Sequence, residues 1–212
     1  MKAGESLKAA IGDKRSGIPY YFSSLTDEEI AKNACCDMER LRFVLVVGQY
    51  FDYKGMDVAL ACAKMDSTIK YKFVGMGGRT GLFLQENSPI PENVEIIPFL
   101  QKEELNKEYQ HCGVLLLPTR QECWGLVVNE AASLGTPIVS TWGSGAAVEF
   151  ISDNYPQYLA APSDVESLLE CIKRCLNSDN SFYSDYLKKK SKKYSIEIML
   201  DKHVKLLESL RF

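Results

Sequence analysis

The feature that most constrains this chain is a series of short, unbroken apolar runs separated by segments of helical spacing. The runs are Phe43-Val44-Leu45-Val46-Val47, Lys72-Phe73-Val74, Val94-Glu95-Ile96-Ile97, Val114-Leu115-Leu116-Leu117, Ile138-Val139-Ser140 and the weaker Gln157-Tyr158-Leu159. The first does not alternate apolar with polar residues, as expected for a parallel strand covered on both faces. Between the first two, Met56, Ala59, Leu60 and Ala63 recur at helical spacing over residues 55–65. Residues 102–109 read as a polar helix. Residues 125–134 read as another, with Gly135 as its C-terminal cap and Pro137 just beyond. Ser163 and Glu166 form a capping-box pattern that opens a helix over 163–177, and one or two helices follow over 179–210. Strand and helix in alternation predict a doubly wound, Rossmann-like α/β domain, a parallel sheet of about six strands with helices on both faces.

Residues 1–40 stand outside that rhythm. Thr26 and Glu29 make a second capping-box pattern, which predicts a helix over 27–39 within a connecting segment. The domain proper is expected to span 41–212, C-terminal helices included. A net charge of -3 and a sequence pI near 5.6 argue against a dedicated nucleic-acid binder. No apolar run reaches the roughly 18 residues of a membrane span, and the first 25 residues carry no signal-peptide apolar core. The seven cysteines are Cys35, Cys36, Cys62, Cys112, Cys123, Cys171 and Cys175. Their odd number and the absence of a C-x-x-C pair favour reduced, mostly buried thiols over disulfides or zinc. Reduced thiols fit a cytoplasmic location. The run Lys188-Lys189-Lys190 with Lys192-Lys193 reads as a solvated helix face, the other reading being weak attraction to an anionic membrane surface. His111 and His203 fall outside the candidate loops and are expected to be structural.

In an open parallel sheet, ligands bind outside the carboxyl ends of the strands. Three strand-to-helix loops carry suggestive residues. The first, Gly48 to Gly55, places Lys54 just before a helix N-terminus, where an ammonium, free amides and the helix dipole together could hold a phosphate. A solvated loop lysine would give the same pattern. The second, Gly75-Met76-Gly77-Gly78-Arg79-Thr80-Gly81, fails the G-x-G-x-x-G spacing because Thr80 stands where the last glycine is needed. That argues against a nicotinamide dehydrogenase and for a flexible glycine turn that lets a ligand approach. The third, Pro118 to Gly125, holds Glu122, with Glu130 eight residues later in the following helix. Carboxylates suit hydroxyl groups and free helix amides suit phosphate oxygens, so a nucleotide sugar would satisfy both. Spacing alone fits equally an exposed loop acid and a surface helix acid.

The segment Glu122-Cys123-Trp124-Gly125-Leu126-Val127-Val128-Asn129-Glu130 is an E-x(7)-E pattern, continued by Gly135-Thr136-Pro137-Ile138-Val139. It resembles the donor-site motif of family 4 glycosyltransferases, retaining enzymes of the GT-B fold. The resemblance covers residues 43 to about 210. It takes in V-G-Q-Y-F-D-Y-K-G-M-D, V-G-M-G-G, L-L-P-T-R-Q-E and Gly145 to Glu149. It implies that Glu122 meets the donor sugar's hydroxyls near the reacting carbon and that Glu130 binds the nucleotide's ribose. Amides around Trp124, Gly125, Leu126 and Val127 would hold the sugar and distal phosphate, and Cys123 would be a further donor-binding residue. Lys54, with Gly48, Gln49 and Gly75 in its surroundings, would neutralise the diphosphate, and the nucleobase would lie near Phe99 and Leu100. Glu122 and Lys54 are the implied catalytic pair. A UDP-, GDP- or ADP-sugar would be the substrate, with no metal or other cofactor. The implied activity is hexosyl transfer in glycan or polysaccharide synthesis.

Two departures matter. The family usually places arginine where this chain has Gln49, which brings no charge. Diphosphate binding is then expected to be weaker unless Arg79 or Arg120 compensates. The D-G-x-x-G turn usual in the family is replaced by Asp153-Asn154-Tyr155-Pro156. Enzymes of this type also have two Rossmann-like halves, and this chain resembles the donor-binding half alone. An acceptor-binding half, in cis or in trans, is therefore the implied partner, and the isolated chain is expected to be inactive. The alternative is a non-catalytic or split half that works only with a separate acceptor subunit. The terminal helix, with Ile196, Met199, Val204, Leu207 and Leu210, is expected to leave part of an apolar face uncovered.

Overall fold

The fold follows from six apolar strands that pair in parallel in the order β3-β2-β1-β4-β5-β6. A computed structural model describes residues 21–35 and 39–209. The strands are β1 (Leu41–Val47), β2 (Lys70–Val74), β3 (Val94–Ile97), β4 (Cys112–Leu117), β5 (Ile138–Thr141) and β6 (Leu159–Ala160). The described helices are α1 (Asp27–Ala34), α2 (Met56–Met65), α3 (Thr80–Asn87), α4 (Lys102–His111), α5 (Leu126–Ser133), α6 (Gly145–Ile151), α7 (Val165–Leu176), α8 (Ser181–Ser191) and α9 (Ile196–Ser209). Val44, Leu45 and Val46 of β1 and Val114, Leu115 and Leu116 of β4 have no solvent exposure. Unbroken apolar runs are what central strands covered on both faces require. On one face α2 and α7 pack together, with α7 lying over β4, β5 and β6. On the other, α5 packs against α4 and α8. The doubly wound expectation holds.

The strand order sets the site. From β1 the chain winds outward through β2 to β3, then returns to the other side of β1 as β4. Beside that reversal, the loops that follow β1 and β4 stand next to each other at the carboxyl ends of the strands. Ligands of such sheets bind in that crevice. The register is direct, with Val44 opposite Val114 and Val46 opposite Leu116.

Several boundaries differ from expectation. The capping box at Thr26 and Glu29 forms, but α1 ends at Ala34, short of residue 39. Expectations for residues 1–20 and 36–38, Cys36 included, lie outside the described residues. Ser163 does not cap α7: Asp164 does, its side chain accepting from the Ser167 amide at 3.0 Å. The expected strand at residues 157–159 is a 3₁₀ turn over Pro156–Tyr158, and the sheet gains only Leu159 and Ala160. The glycine-rich second loop is more ordered than a flexible turn, since Gly77–Arg79 is 3₁₀ and α3 starts at Thr80. The lysine run is only partly a solvated face. Lys190 donates to the Glu149 carbonyl, and burial pulls its pKa down against the raising effect of Glu149 and Asp153. Of the described cysteines, Cys62, Cys112, Cys171 and Cys175 are buried thiols while Cys35 and Cys123 are exposed. Both histidines are helix residues whose Nδ1 sits 2.7 Å from a carbonyl one turn back, Lys107 for His111 and Met199 for His203. No described helix is long and apolar enough to cross a membrane.

The leading segment does not run free of the domain. Tyr21, Leu25 and Ile30 are buried, the Leu25 carbonyl accepts from the Ile196 amide at 2.9 Å, and Asn33 donates to Ser133 in α5 at 2.8 Å.

Gly55 is the tightest point between the first and third loops. Its φ is +69°, and a Cβ there would lie 2.1 Å from the Pro118 carbonyl oxygen. Gly55→Ala is therefore expected to lower unfolding stability in urea by more than about 2 kcal/mol. Gly78→Ala, which would meet nothing within 4 Å, should stay within about 0.5 kcal/mol of wild type. Equal effects from both variants would contradict this account of the loop junction.

Candidate functional site

The first and third loops are bound together before any ligand is considered. The Tyr53 carbonyl accepts from the Arg120 amide at 2.8 Å and from the Thr119 hydroxyl at 2.6 Å. Arg120 then reaches across to the first turn of α2, donating to both carboxylate oxygens of Asp57 at 2.9 and 2.5 Å. Its Nε donates to Ser163 Oγ at 3.0 Å. Burial of Asp57 disfavours its charge, but the hydrogen bonds and charge of Arg120 outweigh burial and hold the carboxyl below its ordinary pKa. Arg120 is thus committed to Asp57 and does not replace the positive charge missing at Gln49.

With the loops so placed, Lys54 and Glu122 meet. Lys54 Nζ donates to Glu122 Oε2 at 2.6 Å, and both side chains are mostly buried. Sequence reading had assigned these residues to different parts of a ligand, and the structure brings them into one ion pair. An ammonium has three donors, so the contact with Glu122 leaves two for a phosphate oxygen. Lys54 also lies 5.6 Å from the centre of the Tyr53 ring. Phe51 stacks on Tyr53 at 5.5 Å, and the Arg79 guanidinium sits 4.0 Å from the centre of Phe51. This ladder carries the charge of the second loop over to the first. Gln49 is exposed, and its backbone carbonyl accepts from the Phe51 amide at 3.0 Å. Among the described residues no carboxylate pairs with Arg79, so it is the arginine left to compensate for Gln49.

The Glu122 stretch is supported from behind by the turn between β5 and α6. Its amide donates to the Gly143 carbonyl at 2.9 Å and its carbonyl accepts from Gly145 at 3.2 Å. The Trp124 carbonyl accepts from the Ala146 amide at 2.9 Å and from Ser144 Oγ at 3.2 Å. Sequence reading quoted Gly145 within a motif but missed Gly143 and Ser144 as supports. Gly125 then turns the chain into α5 with a φ of +106°, a conformation that β-carbon residues avoid. Val128 is the first α5 amide that donates within the helix, back to Gly125 at 3.0 Å. The amides of Leu126 and Val127 have no acceptor among the described residues, the usual condition of a helix start and a suitable one for anions. The Leu126 side chain is exposed, that of Val127 is half-buried, and the exposed Cys123 thiol lies beside Glu122.

Trp124 points its indole N–H at Asn129 Oδ1, 2.8 Å away, while its ring lies 5.9 Å from Tyr21 and 6.2 Å from Tyr194. Glu130, in the second turn of α5, accepts from Tyr109 OH at 3.0 Å and from Ser24 Oγ at 3.2 Å. Neither hydroxyl was singled out from sequence. Leu105 and Tyr109, four apart on an otherwise polar helix, are the pattern by which the buried face of α4 could have been found. Gly48, Gly75, Phe99 and Leu100 lie in the neighbouring loops at the same end of the sheet. The Gly48 amide donates to Val74 at 2.9 Å, the Gly75 amide to Ile97 at 3.1 Å and the Gly77 amide to Pro98 at 2.8 Å. Phe99 is 65% exposed and Leu100 packs against the core. Among the described residues no cluster of His, Cys, Asp or Glu is arranged to hold a metal ion. A separate cleft of about 560 Å³ opens at the opposite end of the strands, lined by Arg40, Arg42, Asn180 and Asp185 among others. It shares no residue with this constellation.

Comparison with known proteins places the chain in context. The family described as glycosyl transferases group 1 matches residues 32–195. An uncharacterized glycosyltransferase of Methanocaldococcus jannaschii is 28% identical over 161 residues, 73% of this chain and 44% of that one. The sucrose-phosphate synthase of Thermosynechococcus elongatus superposes with a TM-score of 0.70 at 19% identity, over 97% of this chain and 56% of its own. A TarM mutant of S. aureus, solved in a complex that includes UDP, gives 0.64 at 20% identity, over 80% and 36%. The sheet with its two helix layers is thus one Rossmann-like half of a GT-B fold. The chain spans about half the length of the curated relatives it matches.

The Arg120–Asp57 fork is partly exposed, so screening limits its worth to about 1 kcal/mol. Asp57→Asn should lose that much at neutral pH. Because the folded-state pKa of Asp57 is depressed, its contribution is complete above the ordinary aspartate pKa and vanishes as pH falls through the folded value. Urea unfolding of wild type and Asp57→Asn should accordingly converge in acid. A gap that persists there would remove the fork from the account.

Proposed function

Since the chain belongs to the group 1 glycosyl transferases, we propose that it is the donor-binding half of a retaining, family 4 enzyme that transfers a hexosyl group from a nucleoside diphosphate sugar. The observation that carries this reading is the meeting of Lys54 and Glu122 at 2.6 Å in the loops that precede α2 and α5, with Glu130 one turn into α5. Glu122 takes the donor sugar's hydroxyls and Glu130 the ribose. The amides of Gly125, Leu126 and Val127 hold the sugar and distal phosphate. Lys54, supplemented by Arg79 in place of the missing charge at Gln49, stabilises the diphosphate as it leaves with the bonding electrons. Preorganised cations and helix amides aimed at developing negative charge are the strongest single aid to such a step. The base sits by Phe99 and Leu100.

The acceptor and the groups around it come from the other half of the enzyme, so transfer by this chain alone is not expected. Gln49 favours a second reading, a half specialised to work only beside a separate acceptor subunit. The products belong to glycan or polysaccharide synthesis. Buried free thiols support a cytoplasmic setting, and the exposed lysines Lys189, Lys192 and Lys193 suit contact with an anionic membrane surface.

Calorimetric titration with UDP-, GDP- and ADP-sugars tests the reading, with UDP first because a superposable structure was solved with it. One nucleotide should bind in the micromolar range. Lys54→Ala and Glu130→Ala should each weaken it at least about tenfold, with melting temperatures showing both variants folded. No binding of any nucleotide by the wild-type chain would overturn the assignment.

A further inference from the structure

Glu130 is the one carboxylate of the site whose two oxygens are both held by hydroxyl groups from other elements. Tyr109 OH, from α4, donates to Oε2 at 3.0 Å. Ser24 Oγ, from the leading segment, donates to Oε1 at 3.2 Å. We propose that Ser24 and Tyr109 are positioning residues for Glu130, fixing its carboxylate so that its remaining lone pairs face a ribose diol. This proposal rests on the donor-binding reading and extends it to the residues that set its preference for ribose.

An ionised carboxylate is acceptor-only and has about four lone-pair sites. Two donors, one on each oxygen, set the side-chain torsions and leave one site per oxygen, the number that a pair of adjacent hydroxyls requires. Tyr109 is suited to the task. Its ring is fully buried in the core, and its hydroxyl has no choice but to donate to a carboxylate. Burial, reinforced by the charge and hydrogen bond of Glu130, pushes its pKa well above the ordinary value, so the proton stays on the phenol.

Ser24 is suited differently, because its segment is tied down on either side of it. Tyr21 packs 4.7 Å from Tyr194 and 5.9 Å from Trp124. The Leu25 carbonyl accepts from Ile196, and the Asp27 amide donates to Glu197 at 2.9 Å. Asn33 donates to Ser133, one turn beyond Glu130 in α5. A stretch of chain outside the sheet thus touches Trp124 with one side chain and Glu130 with another. Ribose grip becomes a property of the leading segment as much as of α5.

The test compares whichever of UDP, GDP and ADP binds with its 2′,3′-dideoxy counterpart, by calorimetry on the full chain. Wild type should prefer the ribonucleotide, and Glu130→Ala should abolish the preference. Tyr109→Phe and Ser24→Ala should each reduce the preference about fivefold, leaving the dideoxynucleotide's affinity unchanged, and Ser24→Thr should restore it. If Tyr109→Phe fails to fold, the Ser24 pair decides. Loss of preference in Glu130→Ala alone, or equal loss for both nucleotides in the hydroxyl variants, would overturn the positioning role and leave the donor reading intact. A wild-type chain that binds neither nucleotide, or both equally, would remove Glu130 from the ribose and this proposal with it.

Discussion

The close approach of Gly55 to the Pro118 carbonyl is the constraint on which the rest of the site depends. Because β1 and β4 are neighbours, their two loops must share one crevice, and only a residue without a side chain lets them touch there. The contact puts the Tyr53 carbonyl within reach of Thr119 and Arg120. It also puts Lys54 against Glu122. An ion pair between residues 68 apart in sequence is therefore a consequence of strand order and one glycine.

Charge is divided sharply among the basic residues near the crevice. Arg120 works inside the scaffold, where its planar fork joins the third loop to α2 through Asp57. Lys54 is paired with Glu122, a contact that leaves its ammonium with donors to spare. Arg79, stacked on Phe51, has no carboxylate partner among the described residues. A chain that lacks an arginine at position 49 thus keeps, among the described residues, a cation in the adjacent loop that no carboxylate neutralises.

Much of this was legible in the sequence, for identifiable reasons. Central strands such as 43–47 and 114–117 are short and apolar without interruption, as a parallel strand covered on both faces requires. Helices α3 and α6 were not read. α3 buries only Phe83 and carries Gly81 in its first turn, and α6 opens on Gly-Ala-Ala, so neither shows a clear stripe. Ser163 misled because two capping residues stand side by side: Asp164 took the cap and Ser163 turned to Arg120 with a φ of +64°. The E-x(7)-E spacing singled out two carboxylates and carried no information about their surroundings. Lys54, Tyr109 and Ser24 reach them across 68, 21 and 106 residues of chain, distances at which no local periodicity operates.

The leading segment and α9 meet at a single edge, through the Leu25 carbonyl on Ile196 and the Asp27 amide on Glu197. There the leading segment is tied to the start of α9 by one backbone bond and one side-chain bond. Ser24 stands one residue from the Leu25 contact, and its hydroxyl donates to Glu130. That edge is thus one hydrogen bond away from the Glu130 carboxylate, while the sheet's buried strands are close-packed behind it. The setting of the Glu130 side chain is thereby linked, through a single serine, to how the leading segment sits against α9.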